Sequence, residues 1–130
     1  MVKARNKGLA MTASLGRLVL YTHDPDAMAA FYGRHFGYVA QQRDGDRIIE
    51  LHPPGAGVTL LLHPAAKGQK AGQAQVKLVF DTADVPAFIA TARDQGLVFG
   101  SLHQGAGYAF ANAKDPAGNS ISVSSRAFAP

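Results

Sequence analysis

Lys114-Asp115-Pro116-Ala117-Gly118-Asn119-Ser120-Ile121-Ser122-Val123 is a tight turn that runs straight into a strand. Pro116 presets φ at the second turn position, and Gly118 and Asn119 both tolerate positive φ. From Ser120 to Ser124 the side chains alternate: three serines on one face, Ile121 and Val123 on the other. A strand with an apolar face and a hydroxyl face packs on a core with one side and lines a cleft with the other.

Upstream of this stretch, Val76–Phe80 reads as a strand. Asp84 reads as the N-cap of a helix whose face carries Val85, Phe88, Ile89 and Ala92 and which stops at Gly96. Leu97–Leu102 reads as a strand, Gly105-Ala106-Gly107 as a turn, and Tyr108–Ala113 as a strand leading into the Asp115 turn. The same order occurs earlier. Arg17–Thr22 is a strand, and Asp24-Pro25-Asp26 opens a helix that carries Met28, Phe31, Tyr32 and His35 or Phe36 and ends at Gly37. Tyr38–Arg43 and Arg47–Leu51 form a hairpin about Asp44-Gly45-Asp46, and Val58–Leu62 is the closing strand. Arg17 precedes Asp24 by seven residues, as Lys77 precedes Asp84.

The chain is therefore a βαβββ unit written twice. The expected class is α+β, with the two modules forming a shared curved mixed sheet, a cup, and the helices on its outer face. Residues 1–12 read as a basic N-terminal tail, 13–63 as the first module, 64–73 as a linker and 74–126 as the second module, together one structural domain.

Composition sets limits. With no cysteine, disulfides, thiolate nucleophiles and Cys-ligated metals are excluded. No apolar run approaches the roughly 18 residues of a membrane span, and Met1–Ala10, charged and without an apolar h-region, do not read as a secretory signal, so a cytoplasmic setting is expected. Of the net charge of +4, Lys3, Arg5 and Lys7 account for three, which leaves the rest of the chain nearly neutral. Without a basic stripe interleaved with aromatics, nucleic acid is not an expected partner. No Gly-x-Ser-x-Gly elbow occurs, and Gly105-Ala106-Gly107 is too short for a phosphate-binding loop.

The repeat, the pattern Asp24…Phe31-Tyr32…Phe36-Gly37 and the turn Asp115-Pro116-Ala117-Gly118-Asn119 resemble the vicinal oxygen chelate superfamily of glyoxalase I, extradiol dioxygenases, and fosfomycin and bleomycin resistance proteins, over residues 16–125. The resemblance implies this fold, a homodimer, and in metal-dependent members four inward His or Glu ligands. Here the matching positions hold Arg17, Lys77, Ser122 and, on the strand Val58–Leu62, Leu60. Two cations, a serine and a leucine do not make a divalent metal site, so no cofactor is expected.

By alternation Arg17, Val19 and Tyr21 share a face, as do Lys77, Val79 and Asp81, and the serines join them. Arg17, Tyr21, Lys77, Asp81, Tyr108 and Ser122 are accordingly the candidate ligand-binding residues, with no catalytic residue assigned. The expected function is binding of a small organic molecule, an anion before a cation, in a metal-free cup similar in plan to drug-sequestering resistance proteins. The competing reading is a metal-dependent lyase, isomerase or dioxygenase that uses a displaced divalent site drawn from Glu50, His52, His63 or His103. Phe110 reads as core.

Overall fold

The computed structural model describes residues 15–74 and 76–130; the basic tail of residues 1–12 lies outside the described residues. In chain order the elements are β1 (Arg17–Thr22), α1 (Pro25–Phe36), β2 (Val39–Gln41), β3 (Ile49–His52), β4 (Thr59–Pro64), β5 (Lys77–Asp81), α2 (Val85–Asp94), β6 (His103–Gln104), β7 (Ala109–Lys114) and β8 (Ser120–Ser124). A turn of 3-10 helix, Arg126–Phe128, follows.

Local chemistry sets the helix ends. The Asp24 carboxylate accepts from the Ala27 amide at 3.0 Å, with Pro25 next to it, where its missing N–H costs nothing. Gly37 ends α1 in the left-handed region at φ 73°, and its N–H donates to the Gly33 carbonyl. The second copy repeats the start, with the Asp84 carboxylate accepting from Ala87 N at 3.1 Å.

The two modules give two four-stranded mixed sheets, ordered β1-β4-β3-β2 and β5-β8-β7-β6. In each, the first strand pairs in parallel with the last and the remaining pairs are antiparallel. The α+β class and the doubled βαβββ order are as the sequence indicates. Among the described residues the sheets are not hydrogen-bonded to one another and form no closed barrel: β1 and β5 are each the edge of a sheet.

One face of each sheet is covered by its helix. Met28, Tyr32, Leu51, Leu62, Val85, Ile121 and Val123 are fully buried there. The modules meet on this side. The Phe36 ring at the end of α1 stacks on Phe80 of β5 at 3.9 Å and lies 5.5 Å from Phe88 of α2. The hydroxyl of Tyr32 donates to the buried Asp115 carboxylate at 2.7 Å, joining α1 to the β7–β8 turn. That carboxylate also accepts from the backbone of Ala117 and Asn119 and from Asn119 Nδ2, so the turn singled out in the sequence is built around it. Gly118 takes φ 83°, and a Cβ there would lie 3.2 Å from the Cα of Gly72 in the linker, so both position and packing require glycine.

Two expectations are corrected. Leu97–Leu102 is not a strand. It runs beside β7 through one bond, Gly100 N to Asn112 O at 2.9 Å, and buries Leu97 and Phe99, leaving β6 only two residues long. Leu60 does not share the face of Arg17. It lies opposite Leu18 in the register and is buried under α1's side of the sheet, while Thr59 and Leu61 hold the outward positions on β4.

Candidate functional site

The faces turned away from the helices carry the candidate chemistry, and the register fixes their rows. On the first sheet Arg17 lies beside Thr59, Val19 beside Leu61 and Tyr21 beside His63. Leu61 in turn lies beside Glu50, and Glu50 beside Gln41. On the second sheet the rows are Lys77–Ser120–Lys114, Val79–Ser122–Asn112 and Asp81–Ser124–Phe110, with His103 next to Phe110. Arg17 and Lys77 thus hold equivalent places in the two copies, each followed two residues on by a valine.

These faces are open in the single chain. Val19, Tyr21 and Val79 expose 45%, 51% and 55% of their surface, whereas their neighbours Leu18, Leu20 and Leu78 turn into the core. Strand alternation is the cause: the odd-numbered residues of both edge strands face outward. The central serines are short and sit below their neighbours, which leaves Ser122 only 2% exposed, its hydroxyl donating weakly to its neighbour's carbonyl at 3.4 Å.

The cations differ in their surroundings. Lys77 Nζ donates to Asn112 Oδ1 at 3.0 Å, and Lys114 Nζ donates to Ser120 Oγ at 2.9 Å. Both acceptors are neutral, so both ammonium charges are uncompensated by them. Arg43 is different, its Nε lying 3.1 Å from Glu50 Oε2. The other Glu50 oxygen is 3.5 Å from His52 Nε2, a buried nitrogen with no hydrogen-bond partner among the described residues. Glu50, at 13% side-chain exposure, is thereby committed to two neighbours.

Of the six residues predicted from sequence, Lys77, Asp81 and Ser122 come together on the second sheet and Arg17 and Tyr21 on the first. Within the chain they line separate hollows. Lys77 and Asp81 edge a groove of about 740 Å³ that also touches Leu18, Phe36, Tyr38 and Phe80. Arg17 joins Arg43, Glu50 and Leu61 around a hollow of about 270 Å³, and Tyr21 borders one of about 110 Å³. Tyr108 lies ahead of β7, its ring stacked near Phe110 at 6.1 Å and covered by the Arg126 guanidinium at 5.2 Å.

The sequence reading left out Asn112 and Lys114, weighed His103 only for a displaced metal site and placed Phe110 in the core. Placing the strand end at Ala113 hid Lys114, and counting back from it by twos would have put Asn112 and Phe110 on the serine face. His103 stacks on Phe110 at 4.9 Å, so Phe110 belongs to the outward face rather than the core.

Three groups near the groove are shifted by their surroundings. Burial, followed by the charge of and hydrogen bond to Asp115, pushes the Tyr32 phenol far above its usual range. Burial also raises Tyr38. His35, with its Nδ1 buried and unpartnered among the described residues, is lowered by desolvation and then by the neighbouring Arg34 charge.

The sequence model of the Glyoxalase/Bleomycin resistance protein/Dioxygenase superfamily matches residues 14–123. The chain belongs to that superfamily. Among curated proteins none matches its sequence. Solved structures share the fold: TnmS3, described as an antibiotic binding protein from Streptomyces sp. CB03234, has 22% identity and a TM-score of 0.70, with 88% of this chain and 96% of that chain covered. A protein from the mobile metagenome of V. Pseudocholerae has 27% identity and a TM-score of 0.66 over 89% and 96% of the two chains. Lactoylglutathione lyase from Agrobacterium tumefaciens has 21% identity and a TM-score of 0.65 over 87% and 93%.

In this member of the superfamily the outward positions do not suit a divalent ion. Arg17, Lys77, Leu61 and Ser122 offer two positive charges, a hydrocarbon and a buried hydroxyl. Among the described residues no three His, Asp or Glu side chains gather closely enough to hold a metal, so the displaced set of Glu50, His52, His63 and His103 is not assembled. No helix among them is long and apolar enough to cross a membrane.

Proposed function

We propose that the chain is a binding protein for a small organic anion, held on the outward sheet faces, and that a second copy of the chain completes the site. The carrying observation is that Arg17 and Lys77 stand at equivalent outward positions, each above a half-exposed valine and neither paired with a carboxylate among the described residues. A cation beside apolar surface is the arrangement that holds an anion with a hydrocarbon body.

The second copy is supported by the edges. Among the described residues β1 and β5 both carry unpaired backbone groups, and the apolar groove touches both strands. A twofold pair that sets β1 of one copy against β5 of the other satisfies both edges twice and joins the two outward faces into one cup. TnmS3, with the same fold, is described as an antibiotic binding protein, which favours binding over turnover.

The test is calorimetric titration with benzoate, alongside sedimentation. Arg17→Ala and Lys77→Ala should each weaken binding about three- to tenfold, with the melting temperature unchanged. Sedimentation should show a dimer. Unaltered affinity in both variants would remove the charge role, and a monomer at millimolar concentration would remove the second copy.

A further inference from the structure

We propose that the chain's own N-terminal arm, residues 9–15, fills the groove between the modules and lies along the open edge of β5, a seat that it holds in the single chain and yields to a second copy.

The groove has one wall without a partner. Every residue from 76 to 82, on both faces of β5, borders it. A strand whose two faces both border a hollow presents its edge to that hollow. β5 pairs with β8 on one side and, among the described residues, with nothing on the other. Behind the edge stand Leu18, Phe36, Phe80 and Phe88, around a volume of about 740 Å³ that admits several side chains. Val76 and Val79 on the same wall expose 58% and 55% of their surface. An apolar hollow beside unpaired amides fits an occupant that brings backbone groups as well as hydrocarbon, which is what a peptide segment offers.

The sequence supplies such a segment. Leu15, where the described residues begin, borders the groove and is 73% exposed, so its apolar side chain lies there uncovered. Upstream of it Leu9, Met11 and Ala13 alternate with Gly8, Ala10, Thr12 and Ser14. This is the period-two pattern of a strand, with the larger apolar side chains on the face of Leu15 and small or polar ones on the other. From residue 9 to residue 15 is six steps, roughly 20 Å when extended, and residues 76–82 span the same six. Charge sets the direction. Arg5 and Lys7 precede Leu9, the first fourteen residues carry no Asp or Glu, and the β5 wall has Lys77 at one end and Asp81 at the other. With Leu15 at the Lys77 end the arm's cations approach Asp81, and the arm runs antiparallel to β5, the more stable of the two pairings. The second copy proposed above needs the same edge of β5, so arm and partner are alternatives there. In dilute protein the arm covers the edge, and it leaves as two copies meet.

The chain has no tryptophan, so a single one introduced into the whole protein reports its own surroundings. In dilute protein Leu9→Trp and Met11→Trp should show blue-shifted emission and lose most of their quenching by acrylamide, while Ala10→Trp and Thr12→Trp stay as exposed as in urea. Where a tryptophan prevents folding, amide exchange gives the second reading. The full-length double variant Leu9→Asp, Met11→Asp, which would have to bury two charges to stay seated, should exchange roughly tenfold faster than wild type in residues 76–82, the factor for one lost backbone hydrogen bond. Equal quenching at all four positions, or exchange unaltered in the double variant, overturns the seat. Protection that appears only as concentration rises puts the arm on another copy and overturns it as well. Protection that persists unchanged through dimerisation keeps the arm in place and removes the second copy from this edge. No readout uses a ligand, so a failure of benzoate to bind leaves this inference standing, and a failure of the arm leaves anion binding standing.

Discussion

Replacing Tyr32 by phenylalanine removes one oxygen from the contact that ties the two modules together. The ring stays, so its packing against Phe31, Phe36 and Phe80 is retained, and the change isolates the hydroxyl bond to Asp115 at 2.7 Å. Asp115 keeps three donors: the amides of Ala117 and Asn119 and the Asn119 side chain. A hydrogen bond to a charged acceptor contributes about 1.5–3 kcal/mol, and little water can replace it at a carboxylate this buried. For a domain of this size the loss corresponds to a fall in Tm of roughly 5–15 °C. Urea unfolding followed by circular dichroism measures it, with the m-value expected to stay constant. The pH profile supplies a second check. In the fold the Tyr32 phenol is raised above the value of about 10 it has when unfolded, so above pH 10 the unfolded chain gives up a proton that the folded chain retains. Stability is therefore fully present below pH 10 and falls as pH rises beyond it, by up to about 1.4 kcal/mol per unit from this residue. Tyr32→Phe should flatten that decline to the part due to Tyr38. A loss under about 0.5 kcal/mol at pH 7, or an alkaline slope identical to wild type, would refute the account of this contact.

Gly118→Ala should destabilise by more than about 1 kcal/mol, since φ is 83° and the new methyl meets Gly72, and thermal melts should show it while Gly45→Ala, strained but in open space, costs less. The proton balance at His35 has the opposite sign to that at Tyr32. Its folded pKa is depressed by burial and Arg34, so its contribution is present above about pH 6.5 and is lost as pH falls through the folded value. Urea midpoints should drop between pH 7.5 and pH 5, and His35→Phe should remove part of the drop; an unchanged profile would mean that the ring is solvated.

What the sequence made legible was whatever local chemistry decides. Asp24 and Asp84 cap helices where their carboxylates were expected to, Gly37 ends α1 with positive φ, and β8 begins and ends at the predicted serines. Long-range packing was harder to see. The way the modules sit together depends on Phe36 against Phe80 and Tyr32 against Asp115, and nothing near Tyr32 in the chain marks its partner 83 residues on. Leu60 was given the wrong face because Val58–Leu62 is apolar on both sides apart from Thr59, whose small β-branched side chain packs on either face and was not used to phase the alternation. Strand β7 shows the same difficulty at its end, where Lys114 reads equally well as the first residue of the turn. The candidate site was half legible: the edge-strand residues Arg17 and Lys77 stand out against valines, while the outward residues of β7, Phe110, Asn112 and Lys114, needed the register.

The Tyr32–Asp115 bond also bears on the order in which a ribosome makes the parts. Helix α1 is finished when Asp115 has yet to be synthesised, so the phenol spends most of translation without its acceptor. The first module can form its own sheet early, since β1 to β4 need nothing downstream. The second cannot, because the partner of β5 is β8, the last strand to emerge. Closing the turn around Asp115 therefore does two things at nearly the same moment: it delivers β8 to the edge of β5 and gives Tyr32 the carboxylate it has been waiting for. Synthesis pauses, or truncations, shortly before residue 115 would leave a chain with one formed module, an aromatic surface on α1 in contact with water, and a strand with no neighbour. Such nascent chains are the ones a chaperone should hold longest.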